Sequence, residues 1–91
     1  MRFEWDPEKA ASNLAKHGVS FEEARTVFGD PLATTVPDPS HSVGEERRLT
    51  TGMSRQGRVL IIWHTDQGFM VRIIGARRAT PNERRTYESG E

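Results

Sequence analysis

Apolar residues recur along this chain at two spacings, and the alternation between them marks out its elements. Phe3-Glu4-Trp5 alternates apolar and polar, the pattern of a short edge strand. Asp6-Pro7-Glu8 then reads as a helix start, with Asp6 as N-cap, Pro7 at the first helical position and Glu8 in the first turn. Ala10, Ala11, Leu14 and Ala15 fall on one face of that helix, and Lys16-His17-Gly18 ends it with basic residues followed by glycine. Ser20-Phe21-Glu22-Glu23 has the spacing of a capping box. The second helix carries Phe21, Ala24, Val27 and Phe28 on one side and stops at Gly29-Asp30-Pro31.

From Leu32 to Val36 the pattern turns extended, and Pro37 to Gly44 is a loop by composition, long for so short a chain. Three strands follow in meander order. Arg47 to Met53 leads through a Ser54–Gly57 turn to Arg58–Thr65, the most apolar and therefore central strand. Asp66-Gln67-Gly68 reads as a hairpin turn into a last strand, Phe69 to Arg77. Thr80-Pro81-Asn82-Glu83 repeats the helix-start grammar and opens a short helix through Arg84, Arg85 and Tyr87. The order β-α-α-β-β-β-β-α predicts an α+β fold: two N-terminal helices and one C-terminal helix packed on a mostly antiparallel meander sheet.

Length and composition narrow the class. Ninety-one residues are expected to form one domain, 1–91, and 34% hydrophobic against 29% charged residues leave it only a modest core. The absence of cysteine removes disulfides, thiolate metal sites and a Cys nucleophile. The N-terminus lacks the apolar run of a signal peptide, and the longest apolar stretch, Val59 to Trp63, is far short of the ~20 residues of a membrane span. A cytoplasmic protein is expected. The formal net charge of zero conceals a split: residues 1–46 hold four basic and nine acidic side chains, residues 47–91 nine basic and four acidic. All nine basic residues of the second half are arginine, whose planar fork matches phosphate oxygens and stacks on bases. A solvated, salt-bridged face is the competing reading.

Phe3-Glu4-Trp5-Asp6-Pro7, Asn13, the block from Lys16 to Ala24, Phe28-Gly29-Asp30-Pro31, Glu46-Arg47-Arg48, Arg72 to Ala79, Glu83-Arg84 and Tyr87 together resemble the BrnT family. The resemblance covers nearly the whole chain and is most specific in Lys16-His17-Gly18-Val19-Ser20-Phe21-Glu22-Glu23-Ala24. It implies a compact RelE-like fold and a ribonuclease toxin of a type II toxin–antitoxin module. Such a toxin would inhibit translation and growth and be held inactive by a DNA-binding, BrnA-like antitoxin. The alternative is a nucleic-acid- or protein-binding module that uses the basic half without turnover.

For RNA cleavage the chain must offer a base, an acid and positive charge at the phosphorane. No metal-ligand spacing is present, so neither metal nor other cofactor is expected. Arg48 and Arg77 are the candidate stabilisers: Arg48 shares a strand face with Thr50 and Gly52, and Arg77 ends the last strand just before a helix N-terminus. His64 and Glu46 are candidate acid–base groups, with a hydrogen-bonded strand-end histidine as the competing reading of His64. Arg47, Arg72, Arg78, Arg84 and Lys16 are the candidate RNA contacts, and several of these arginines are placed to line one concave groove. Arg72 either snorkels at the core edge or joins that groove with Arg48. His17 suits a helix C-terminus, His41 an exposed loop, Glu83 a capping box and Tyr87 the docking of the last helix. Trp5 and Trp63 read as core or interface residues.

Overall fold

The structure, a computed structural model, describes residues 1–38 and 46–90. Strand β1 spans Arg2–Glu4, helix α1 Pro7–His17 and helix α2 Phe21–Thr26, which runs into a single 3-10 turn at Val27–Gly29. Strands β2 (Thr34–Pro37), β3 (Arg47–Met53), β4 (Val59–Gln67) and β5 (Met70–Arg78) follow, then helix α3 (Pro81–Ser89). The helix ends are where the local chemistry puts them. Asp6 accepts from the Glu8 N–H, and Gly18 takes the left-handed φ of 68° that returns its N–H to the Leu14 carbonyl. Thr80 and Glu83 close a full capping box on α3. At α2 only half of the expected box forms. Ser20 accepts from the Glu23 N–H, but the Glu23 carboxylate turns inward, accepting from Ser54 Oγ at 2.7 Å and pairing with Arg58.

The five strands form one sheet in the order β1-β5-β4-β3-β2. β2 to β5 pair antiparallel in sequence, but β1 lies parallel to β5, Phe3 opposite Val71. The sheet is therefore mixed, and the expected mostly antiparallel meander is corrected at β1. After β1 the chain crosses one face through the helices before the remaining strands are laid down, and a local pattern cannot reveal which distant strand β1 will join.

One face carries the core. Leu60 and Ile62 of β4 and Val71, Ile73 and Ala76 of β5 meet Val19, Phe21, Ala24 and Val27. Ile73 and Ala76 are an odd number of residues apart, so a regular strand would send them to opposite faces. A register shift opposite Trp63/His64 leaves Ile74 as the extra residue and brings both inward. Trp5 stands edge-on to Phe21 at 5.9 Å, and Phe28 packs edge-on to His64 at 5.0 Å. β1 pairs only with Met70–Arg72, so farther along β5 the Ala76 backbone would be a bare edge. Asn13 of α1 fills it: Oδ1 accepts from the Ala76 N–H at 3.1 Å, while Nδ2 donates to the Ala76 and Val19 carbonyls.

β4 continues past its expected end at Thr65 to Gln67, and the hairpin turn is Gly68-Phe69, with Gly68 at φ 63°. Asp66, expected in the turn, is thus a strand residue two positions from His64 and on the same face.

Candidate functional site

The face of the sheet away from the core is open and has a chemical order set by register. Arg47, Thr65 and Arg72 form one lateral row, extended to Glu4 on β1. Val36, Leu49, Trp63 and Gly75 form the next, and Thr34, Thr51, Ile61 and Arg77 the third. A half-buried tryptophan thus sits among apolar side chains, with arginines at both ends. The Arg77 guanidinium lies 5.4 Å from the Trp63 ring centre and makes two hydrogen bonds to Glu83 of α3, at 2.8 and 2.9 Å. That guanidinium pulls the Glu83 carboxyl down to about 2. The Tyr87 hydroxyl, donating to Asp30, secures the far end of α3. Between α3 and the open face runs a groove of about 560 Å³ lined by Val36, Leu49, Ile61, Trp63 and Arg77 among others.

A second group of charges lies at the end of β3 and β4, on the other face. His64 is 1% exposed, and both of its ring nitrogens are engaged: Nδ1 with Asp66 Oδ1 at 2.7 Å and Nε2 with Thr50 Oγ1 at 2.7 Å. Thr50 Oγ1 lies 2.7 Å from Thr35 Oγ1. A carboxylate only accepts, so Nδ1 carries the proton, and in the neutral ring Nε2 is then an acceptor. Thr50 therefore donates to Nε2 and must receive from Thr35, which fixes the direction of the chain across β2, β3 and β4. Burial holds the His64 pKa below its ordinary value, against the upward pull of Asp66. The second Asp66 oxygen, Oδ2, stands 4.0 Å from Arg48 Nε, and Glu46 is 3.9 Å from the Arg48 guanidinium.

The model of the ribonuclease toxin BrnT of type II toxin–antitoxin systems matches residues 5–83. The chain belongs to the BrnT family. The 1.1 Å crystal structure of the Brucella abortus ribonuclease toxin BrnT has the same fold, with a TM-score of 0.64 at 20% identity over 88% of this chain and 97% of that one. No curated protein sequence matches. Membership makes the chain a ribonuclease toxin of a type II module, with RNA as its target and an antitoxin as its partner. No helix among the described residues is long and apolar enough to cross a membrane.

Set on the BrnT fold, the candidate residues separate into groups rather than lining one groove. Glu46, Arg48 and His64 come together around Asp66. Arg77 lies on the opposite face, because register places Arg48 beside His64 but Arg77 beside Ile61. Arg72 also faces away from Arg48 and is paired with Glu4 at 3.2 Å, while Arg47 is its neighbour but one in the same row. Arg78 and Arg84 line a separate cleft with Arg58. Lys16 is exposed in the last turn of α1, apart from either cluster. Among the described residues no three His, Asp or Glu side chains gather as metal ligands, and His41 lies outside those residues.

Of the residues at these two sites, Trp63 was expected in the core or at an interface, and Asp66 was expected only in a turn. Trp63 is a surface group of the open face, hidden in a strand whose run of apolar residues does not reveal which alternate face is covered. Asp66 was hidden by its turn-forming residue type. Several residues of the family resemblance are structural instead: Asn13 seals the β5 edge, Glu23 anchors Arg58 and Ser54, and Asp30 and Tyr87 fasten α3.

Proposed function

We propose that this chain is an endoribonuclease of RelE-like type that cleaves RNA without a metal ion, and that the cleavage inhibits translation and arrests growth. The observation that carries this reading is the pairing of an arginine-flanked tryptophan face with the Glu46–Arg48–Asp66–His64 cluster at one end of the same sheet. Single-stranded RNA is gripped by stacking on aromatic faces and by arginine on the backbone. Trp63 is the stacking surface, and Arg47, Arg72 and Arg77 are the flanking cations, with Arg78, Arg84 and Lys16 as peripheral contacts. Arg48 stabilises the charge that builds on the phosphorane, and half-exposed Arg48 with exposed Glu46 is accessible to substrate. Glu46 is the proton acceptor. His64, enclosed with both nitrogens bonded, acts through Asp66, holding the carboxylate that faces Arg48. Arg77 holds α3 against the face that RNA occupies.

The antitoxin is a DNA-binding, BrnA-like protein that neutralises the toxin by covering the open face. Acidic groups on the partner would meet Arg47 and Arg72 there.

The test is cleavage of an unstructured RNA by purified protein in excess chelator, with Arg48→Ala and Glu46→Gln as comparisons. The expected result is cleavage by the parent chain and a loss on the order of 10²-fold in either variant at unchanged thermal midpoint. Intact RNA after incubation with folded protein would refute the enzymatic reading and leave the binding module. Growth arrest on induction, relieved by the antitoxin, tests the cellular part.

A further inference from the structure

On the open face, Thr65 occupies the centre of the row between Arg47 and Arg72. It is 3% exposed, and its hydroxyl has no hydrogen-bond partner. That is unusual, since roughly nine in ten buried polar groups find one. Arg72 is oriented by Glu4, whose carboxylate lies 3.2 Å from Arg72 Nη1. Arg47, on the other flank, is half-buried, and its carbonyl accepts from the Asp38 N–H at 2.9 Å. Three side chains in one row therefore offer donors to an anion: two guanidiniums and an unspent hydroxyl.

We propose that Arg47, Thr65 and Arg72 form a subsite for a backbone phosphate of bound RNA. The proposal rests on the RNA reading above and gives one point of that grip an address. A phosphodiester presents acceptors only and carries the charge that two arginines require. Thr65 stands two residues beyond Trp63 on the same strand face, about 7 Å along it. A base stacked on Trp63 and a phosphate on this row are then neighbours. A phosphate oxygen that reaches Thr65 supplies the hydroxyl's missing partner, and for this the side chains around the buried group must give way. Glu4 opposes the anion and limits the affinity of the empty row for free ions, so the subsite favours a phosphate delivered by a strand already stacked on Trp63.

The consequence is a change of opposite sign in stability and in binding. Thr65→Val keeps the shape and removes the unpaired hydroxyl, so its thermal midpoint should rise. The same substitution should weaken binding of a fluorescein-labelled single-stranded 2′-O-methyl RNA, which cannot be cleaved, roughly tenfold. Thr65→Ser, which retains the hydroxyl, should bind within about twofold of the parent. Arg47→Met should reduce the slope of log affinity against log salt by about 0.7, the loss of one phosphate contact. Equal binding by Thr65→Val and the parent, or an unchanged salt slope in Arg47→Met, would overturn the subsite while leaving RNA binding intact. No binding by the parent chain would overturn the RNA reading itself, and the subsite with it.

Discussion

Replacing Thr50 by valine tests the hydrogen-bond chain that crosses three strands of the sheet. The substitution is nearly isosteric and the site is 1% exposed, so packing is conserved and the hydroxyl alone is lost. His64 Nε2 then faces a methyl group, a buried acceptor without a donor, at a cost of about 1–3 kcal/mol. Thr35 loses the same partner, but it is exposed and water replaces the bond. The net loss is thus set by His64 and amounts to about 1–3 kcal/mol, roughly 5–20 °C in thermal midpoint for a domain of this size. Thr50→Ser is the control: it keeps the hydroxyl, gives up one methyl and should cost only about 1 kcal/mol. Urea denaturation of both variants at pH 7.5 measures the difference. Nitrogen-15 shifts of the His64 ring read the tautomer directly, and the parent chain should carry its proton on Nδ1. A Thr50→Val variant as stable as Thr50→Ser would refute the contribution of the buried bond, and a ring protonated on Nε2 would refute the direction assigned to the chain.

Gly52→Ala should cost about 1–3 kcal/mol by chemical denaturation, since its new Cβ would lie 2.8 Å from Ala33 Cβ and 2.9 Å from Val27 Cγ1. Asn13→Ala should cost at least about 2 kcal/mol and speed amide exchange at Ala76, whose buried N–H and carbonyl both lose their partner. The Glu83 carboxyl is lowered to about 2 in the folded state, so its pairing with Arg77 contributes fully above about pH 4.5 and is lost as pH falls from there toward 2. Thermal midpoints of the parent should fall across that window more than those of Glu83→Gln. The difference is small because both side chains are about a third exposed.

Much of the architecture was legible because it depends on short-range chemistry. Asp6, Ser20 and Thr80 mark three helix starts by residue type and spacing, and each accepts the backbone N–H that its position implies. The strand order was not legible: β1 carries three residues, and nothing within them selects β5 over an antiparallel neighbour. The site was partly legible. Glu46, Arg48 and His64 emerged as candidates and do meet, because β3 and β4 pair with Arg48 opposite His64. Their link, Asp66, depended on β4 running two residues longer than its composition indicated.

The division of the arginines shows the same limit. The sequence alone determined that the second half of the chain is rich in arginine and poor in lysine, and that most of these arginines sit on strands or on the last helix. Which of them act together depends on strand register and on the side of the sheet that the helices cover. A side chain's face alternates with every residue, so a shift of one position or one bulge reassigns it. Pairing of β3, β4 and β5 placed Arg47, Arg72 and Arg77 on the open face and Arg48 on the other. Packing of α1 and α2 on one side then left Trp63 half-buried on the other. Local sequence set the elements and their charge; only the tertiary pairing decided which charges share a surface.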